Sequence, residues 1–181
     1  TRAMLADSAS IDAKQLDTLR DGKLNPDALA RLVHSIADDI LAAPRFEGQE
    51  LDVNIVRALL YLERADPRID QRIRTYLQGR PLNEMSREAV AALDPTPAES
   101  RSFDVIEALG RIMWTVEKAA LVFCIDQVED LRNFSDPEER FQKAVGNLMQ
   151  IANLLPNAII IVSVLEEFYG QCREALHRSY I

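Results

Sequence analysis

The chain has 181 residues, 48% hydrophobic and 28% charged, which is globular composition and excludes wholesale disorder and fibrous architecture. Its net charge of −8 comes from 29 acidic and 21 basic residues, so no basic footprint for nucleic acid is indicated. No apolar run approaches the roughly 18 to 20 residues of a membrane span, and the start has no signal-peptide layout.

Residues 1–119 read as helices separated by polar turns. Ile11, Leu16 and Leu19 begin a short amphipathic helix that ends near Asp21-Gly22-Lys23. Asn25-Pro26-Asp27 is a start signal, with Asn as N-cap and Pro at the first helical position. Leu29, Leu32, Val33, Ile36 and Ile40 then keep helical spacing up to Pro44. A further helix starts near Asp52, and Asp66-Pro67 separates it from one carrying Ile69, Ile73, Tyr76 and Leu77. Ser86-Arg87-Glu88-Ala89 opens a short helix that ends before Pro95. Thr96-Pro97 restarts the chain into a long helix with Phe103, Ile106, Leu109, Ile112 and Val116, in which Trp114 is expected as a core anchor.

The pattern changes at residue 120. Ala120-Leu121-Val122-Phe123-Cys124-Ile125 is a continuous apolar run ending at Asp126, which predicts a parallel strand covered on both faces, with Cys124 buried. Pro137-Glu138-Glu139 opens a helix that ends at Leu155-Pro156. A second apolar run covers residues 158–164, and a last helix is expected from about Tyr169 to Ile181. Strand, helix, strand, helix in about 60 residues is a βαβ unit followed by a helix. The fold expected is therefore mixed α/β and mostly helical, with a helical region at 1–119 and a partial parallel-sheet unit at 120–181.

Chemistry concentrates at the strand ends. A buried strand that delivers Asp126 to the carboxyl edge of a sheet is the Walker B arrangement, where Mg²⁺ and phosphates sit. The continuation Asp126-Gln127-Val128-Glu129-Asp130-Leu131 resembles the Walker B of the STAND branch of the AAA+-related P-loop NTPases, whose bacterial members often read Asp-Gln-Phe-Glu-Glu-Leu. Residues 161–170 resemble the next strand of that family, with Ser163 at the sensor-like strand end, Glu167 for its Asp, and Phe168-Tyr169-Gly170 intact. Leu165 stands where the family usually has Arg. The resemblance implies Asp126 as the metal residue, Glu129 as the catalytic or water-orienting carboxylate, and Ser163 as the γ-phosphate sensor. It also implies ATP and Mg²⁺ as cofactors of an intact parent that acts as a nucleotide-driven switch or motor.

One part is missing. A phosphate-cradling Gly-x-x-x-x-Gly-Lys-Ser/Thr loop is absent, because Gly22, Gly48, Gly79, Gly110, Gly146 and Gly170 never take the required spacing. The chain is thus expected to be part of a longer ATPase and to bind no ATP, or only weakly, by itself. The alternative is a helical protein-interaction module fused to a degenerate α/β unit that never binds ATP.

Other constellations are poor. His34 and His177 are lone and far apart, and Cys124 and Cys172 alone make neither a zinc site nor a disulfide framework. A cytoplasmic setting is expected, with protein partners or self-association through open strand edges, and no membrane. Seventeen of the 21 bases are Arg, a choice that suits anion binding but also follows from composition bias.

Overall fold

The computed structural model describes residues 13–94, 101–155, 157–170 and 173. It is mostly helical with one small parallel sheet. Two compact units are present, Thr1–Lys118 and Ala119–Ile181.

The first unit is a helical array of α1 (Ala13–Arg20), α2 (Pro26–Leu41), α3 (Val53–Leu62), α4 (Pro67–Leu77), the short α5 (Glu84–Ala89) and α6 (Arg101–Glu117). A 3₁₀ turn, Pro44–Phe46, ends the α2 region. The starts are set by capping side chains. Asn25 Oδ1 accepts from the Ala28 amide at 2.8 Å, and Asp52 and Asp66 accept from the Asn54 and Arg68 amides at 2.7 and 2.9 Å. Each such cap stabilises its helix by about 1 kcal/mol. Proline at the first turn of α2 and α4 costs nothing there, since that N–H would be unpaired.

Apolar spacing decides which faces are buried. Leu29, Val33, Ile36 and Ile40 of α2 join Val56 and Leu60 of α3 and Ile69 and Ile73 of α4 in one core. Neighbouring helices along the chain from α1 to α4 pack on one another, and α6 packs on α4. Burial of each Leu or Ile contributes about 1.5–3 kcal/mol. Tyr61 of α3 is the largest fully buried side chain, and its hydroxyl accepts from the Ala92 amide at 3.2 Å. Arg57, one turn earlier, donates to the Ala92 carbonyl at 3.3 Å. Together they hold the turn after α5 against α3.

In the second unit β1 (Leu121–Ile125) leads through a 3₁₀ segment, Val128–Asn133, into α7 (Pro137–Leu154) and β2 (Ala158–Val162). The strands are parallel, in register from Leu121–Ala158 to Ile125–Val162. Asn157 anchors the amino end: its side-chain amide donates to the Ala119 carbonyl at 3.0 Å, and its own carbonyl accepts from the Leu121 amide. Residues 166–170 are helical, so this helix opens at Glu166, ahead of the expected start near Tyr169. Its expected run to Ile181 lies outside the described residues, apart from Arg173.

The sheet differs from expectation in its cover. Paired residues share a face in a parallel register, and the face of Val122, Cys124, Ile159 and Ile161 is exposed, Val122 at 54% and both Ile159 and Ile161 at 52%. The opposite face, with Leu121, Phe123 and Ile125, is half-buried, and α7 packs on β2. Cover on both faces and a buried Cys124 are therefore corrected: α7 packs on β2, while Cys124 is exposed and shares its face with exposed Val122, Ile159 and Ile161. Trp114 is corrected too, since it stands 45% exposed with the Lys118 ammonium 5.4 Å from its ring centroid. Among the described residues no helix is long and apolar enough to cross a membrane.

Candidate functional site at the strand ends

Asp126 and Ser163 both stand at the carboxyl edge of the β1–β2 pair. One residue beyond the Ile125–Val162 pair, Asp126 and Ser163 leave the two strands side by side. The Ser163 amide donates to the Ile125 carbonyl at 2.8 Å, which extends the ladder one step and fixes Ser163 beside Asp126. Both residues are exposed.

Asp126 shapes the turn that follows it. Its Oδ1 accepts from the Gln127 amide at 3.0 Å, and Gln127 takes a left-handed backbone with φ of 59°. That conformation is uncommon for a residue with a side chain and recurs where chains turn sharply at sites. The 3₁₀ segment follows this turn at once, with Val128 buried. Asp126 thus caps its turn with one oxygen and keeps acceptor capacity on the other.

Glu129 is half-buried, and its Oε2 accepts from the Leu165 amide at 3.3 Å. The carboxylate proposed for water therefore holds the loop after β2. Sequence patterns gave no sign of this contact. Leu165 itself is 54% exposed, and no cation stands at the position where the resembling family has Arg.

The Phe-Tyr-Gly run divides its roles. Phe168 is buried, meets Phe141 edge-on with ring centroids 5.5 Å apart, and has the Arg132 guanidinium 5.1 Å from its ring centroid. With Val128 these rings form the core under the strand ends. Tyr169 and Glu167 are exposed, and a Cβ at Gly170 would meet open space, so sterics do not demand glycine there.

A cavity of about 200 Å³ lies between the end of β1 and α7, lined by Ile125, Asp126, Leu131, Phe134, Phe141 and Val145 among others. It is smaller than the roughly 300–1,000 Å³ of ordinary ligand pockets.

Among the described residues no three His, Cys, Asp or Glu side chains converge on a metal position. Mg²⁺ does not require such a cage, since it is usually held by one or two carboxylates, waters and substrate phosphates. Asp126 and Ser163, exposed at neighbouring strand ends, are residues of that hard-oxygen kind. No family model, curated protein or solved structure matches this chain.

Proposed function

We propose that residues 119–170 form the Walker B and sensor-strand part of a P-loop NTPase of the STAND or AAA+-related kind, whose parent works as a nucleotide-driven switch or motor. The adjacency of Asp126 and Ser163 at the carboxyl edge of a parallel pair carries this reading. Ligands of open α/β sheets gather at that edge. In this reading Asp126 would hold Mg²⁺, and Ser163 would serve the terminal phosphate. Glu129 positions the attacking water with the oxygen that the Leu165 amide leaves free. Bound Mg²⁺ would neutralise charge on the β- and γ-phosphates. The phosphate cradle is assigned to polypeptide outside these 181 residues, because no Gly-x-x-x-x-Gly-Lys-Ser/Thr occurs among them.

The reading frame upstream of Thr1 tests this. A strand followed by Gly-x-x-x-x-Gly-Lys-Ser/Thr is expected, and its absence would overturn the proposal.

A second reading is favoured by the exposed apolar face of Val122, Ile159 and Ile161. Here the chain is a helical protein-interaction module whose α/β unit binds protein and never ATP. Contiguous exposed apolar surface marks such contacts.

A further inference from the structure

Independently of the nucleotide reading, the helical unit holds a cavity of about 360 Å³ between α4 and residues 81–86. That volume lies within the roughly 300–1,000 Å³ of small-molecule pockets. Arg68 and Arg72 of α4 both line it, and no carboxylate does.

Those two guanidiniums are left over from the local electrostatics. Like charges four residues apart destabilise a helix unless something neutralises them. The carboxylates at the start of α4 are engaged elsewhere. Asp66 accepts from the Arg68 backbone amide at 2.9 Å, and Asp70 takes the Arg74 side chain at 2.8 Å. Among the described residues neither the Arg68 nor the Arg72 guanidinium has an ion-pair or hydrogen-bond partner, although Arg72 is half-buried. A protein of net charge −8 therefore keeps two unneutralised arginines at one cavity.

Neutral donors complete the lining. Asn83 uses its Oδ1 to accept from the Ser86 amide at 2.9 Å, which leaves its NH₂ group to donate. Ser86 and Gln71, each with a side-chain donor, also line the cavity, while the Thr75 hydroxyl proton goes to the Gln71 carbonyl at 2.9 Å. Pro81 and Leu82 supply an apolar wall. A carboxylate is satisfied by one guanidinium fork. Two forks with further neutral donors match the three terminal oxygens of a phosphoryl dianion.

We propose that this cavity binds the phosphoryl group of a phosphorylated small molecule, with Arg68 and Arg72 on its oxygens and the Leu82 side against its carbon skeleton. The test is amide NMR of the 181-residue protein, titrated with phosphoserine, with inorganic phosphate, and with sodium chloride at matched ionic strength. Saturable shifts at residues 68–75 and 82–86 are expected with both phosphates, phosphoserine binding tighter. Arg72→Gln should weaken phosphoserine about tenfold or more, and Arg72→Lys should weaken it as well, because charge without the fork is insufficient. Arg74→Gln removes an arginine already paired with Asp70 and should leave affinity unchanged. Shifts reproduced by chloride, or undiminished binding in Arg72→Lys, would overturn the proposal. Equal affinity for the two phosphates would overturn the assignment to a phosphorylated molecule. Should Arg72→Gln fail to fold, Arg72→Lys decides.

Discussion

The Glu129 carboxylate accepts a hydrogen bond from the Leu165 backbone amide at 3.3 Å, linking residues 36 apart in sequence. With the Ser163 amide on the Ile125 carbonyl at 2.8 Å, it joins the loops that leave the two strands. The edge where Asp126 and Ser163 stand is therefore held by two cross-strand contacts beyond the regular ladder. Glu129, proposed above for a role in water attack, is thus also a structural tie at this edge.

Those two roles separate by substitution. Glu129→Ala removes the acceptor, so the Leu165 amide should exchange with solvent faster and stability should fall by about 1 kcal/mol. Glu129→Gln retains an acceptor oxygen and should preserve Leu165 protection. Hydrogen exchange reads both, and unchanged Leu165 exchange in Glu129→Ala would mean that the contact contributes nothing. In a polypeptide with a complete nucleotide site, Glu129→Gln should slow hydrolysis and keep nucleotide binding. Normal turnover would leave Glu129 as a tie alone.

Tyr61 gives the helical unit an alkaline limit. Burial raises its pKa above the ordinary 10.0, and the Ala92 amide, Arg57 and Arg64 draw it only partly back. The folded state thus holds the phenol proton to higher pH than the unfolded chain does. Stability is full below pH 10.0 and is lost as pH rises from there through the folded-state value. Tyr61→Phe should abolish this group's alkaline slope and cost about 1–3 kcal/mol at neutral pH, because the Ala92 amide loses its acceptor. Denaturant unfolding at neutral and alkaline pH checks both. An unchanged slope in Tyr61→Phe would assign it to another group.

Local signals in the sequence reached the elements well. Asn25, Asp52 and Asp66 were legible as helix starts because capping chemistry is contained within three or four residues. The apolar runs ending at Ile125 and covering residues 158–164 became the two paired strands, the second shorter, at Ala158–Val162. Cover was not legible. An unbroken run such as Val122-Phe123-Cys124-Ile125 says that both faces can be buried, not that a partner is present. The edge itself is a mixture: Asp126 is announced by a strand stopping at a carboxylate, whereas the Glu129–Leu165 contact depends on the left-handed turn at Gln127. Nothing in the residue pattern reports that turn.

The exposed sheet face carries a prediction about assembly. Val122, Ile159 and Ile161 lie together on a two-stranded sheet whose outer edges have no strand beside them among the described residues. Open edges next to apolar surface are templates for pairing. Light scattering should show a mass that rises with concentration in the micromolar range. Ile161→Lys should return it toward the monomer, with little change in stability because the site is exposed. A clean monomer for the unmodified protein would contradict self-association.

The proposal that Asp126 stands at a nucleotide site is tested most directly by ATP turnover in a polypeptide that joins these 181 residues to the phosphate-binding strand and loop expected of its parent. Asp126 is exposed, so Asp126→Asn should change stability by no more than about 0.5 kcal/mol. Any loss of turnover would then be chemical. Mg²⁺-dependent ATP hydrolysis is expected of the unsubstituted polypeptide and none of a folded Asp126→Asn variant. Absence of hydrolysis in the unsubstituted polypeptide, or equal hydrolysis in both, would contradict it.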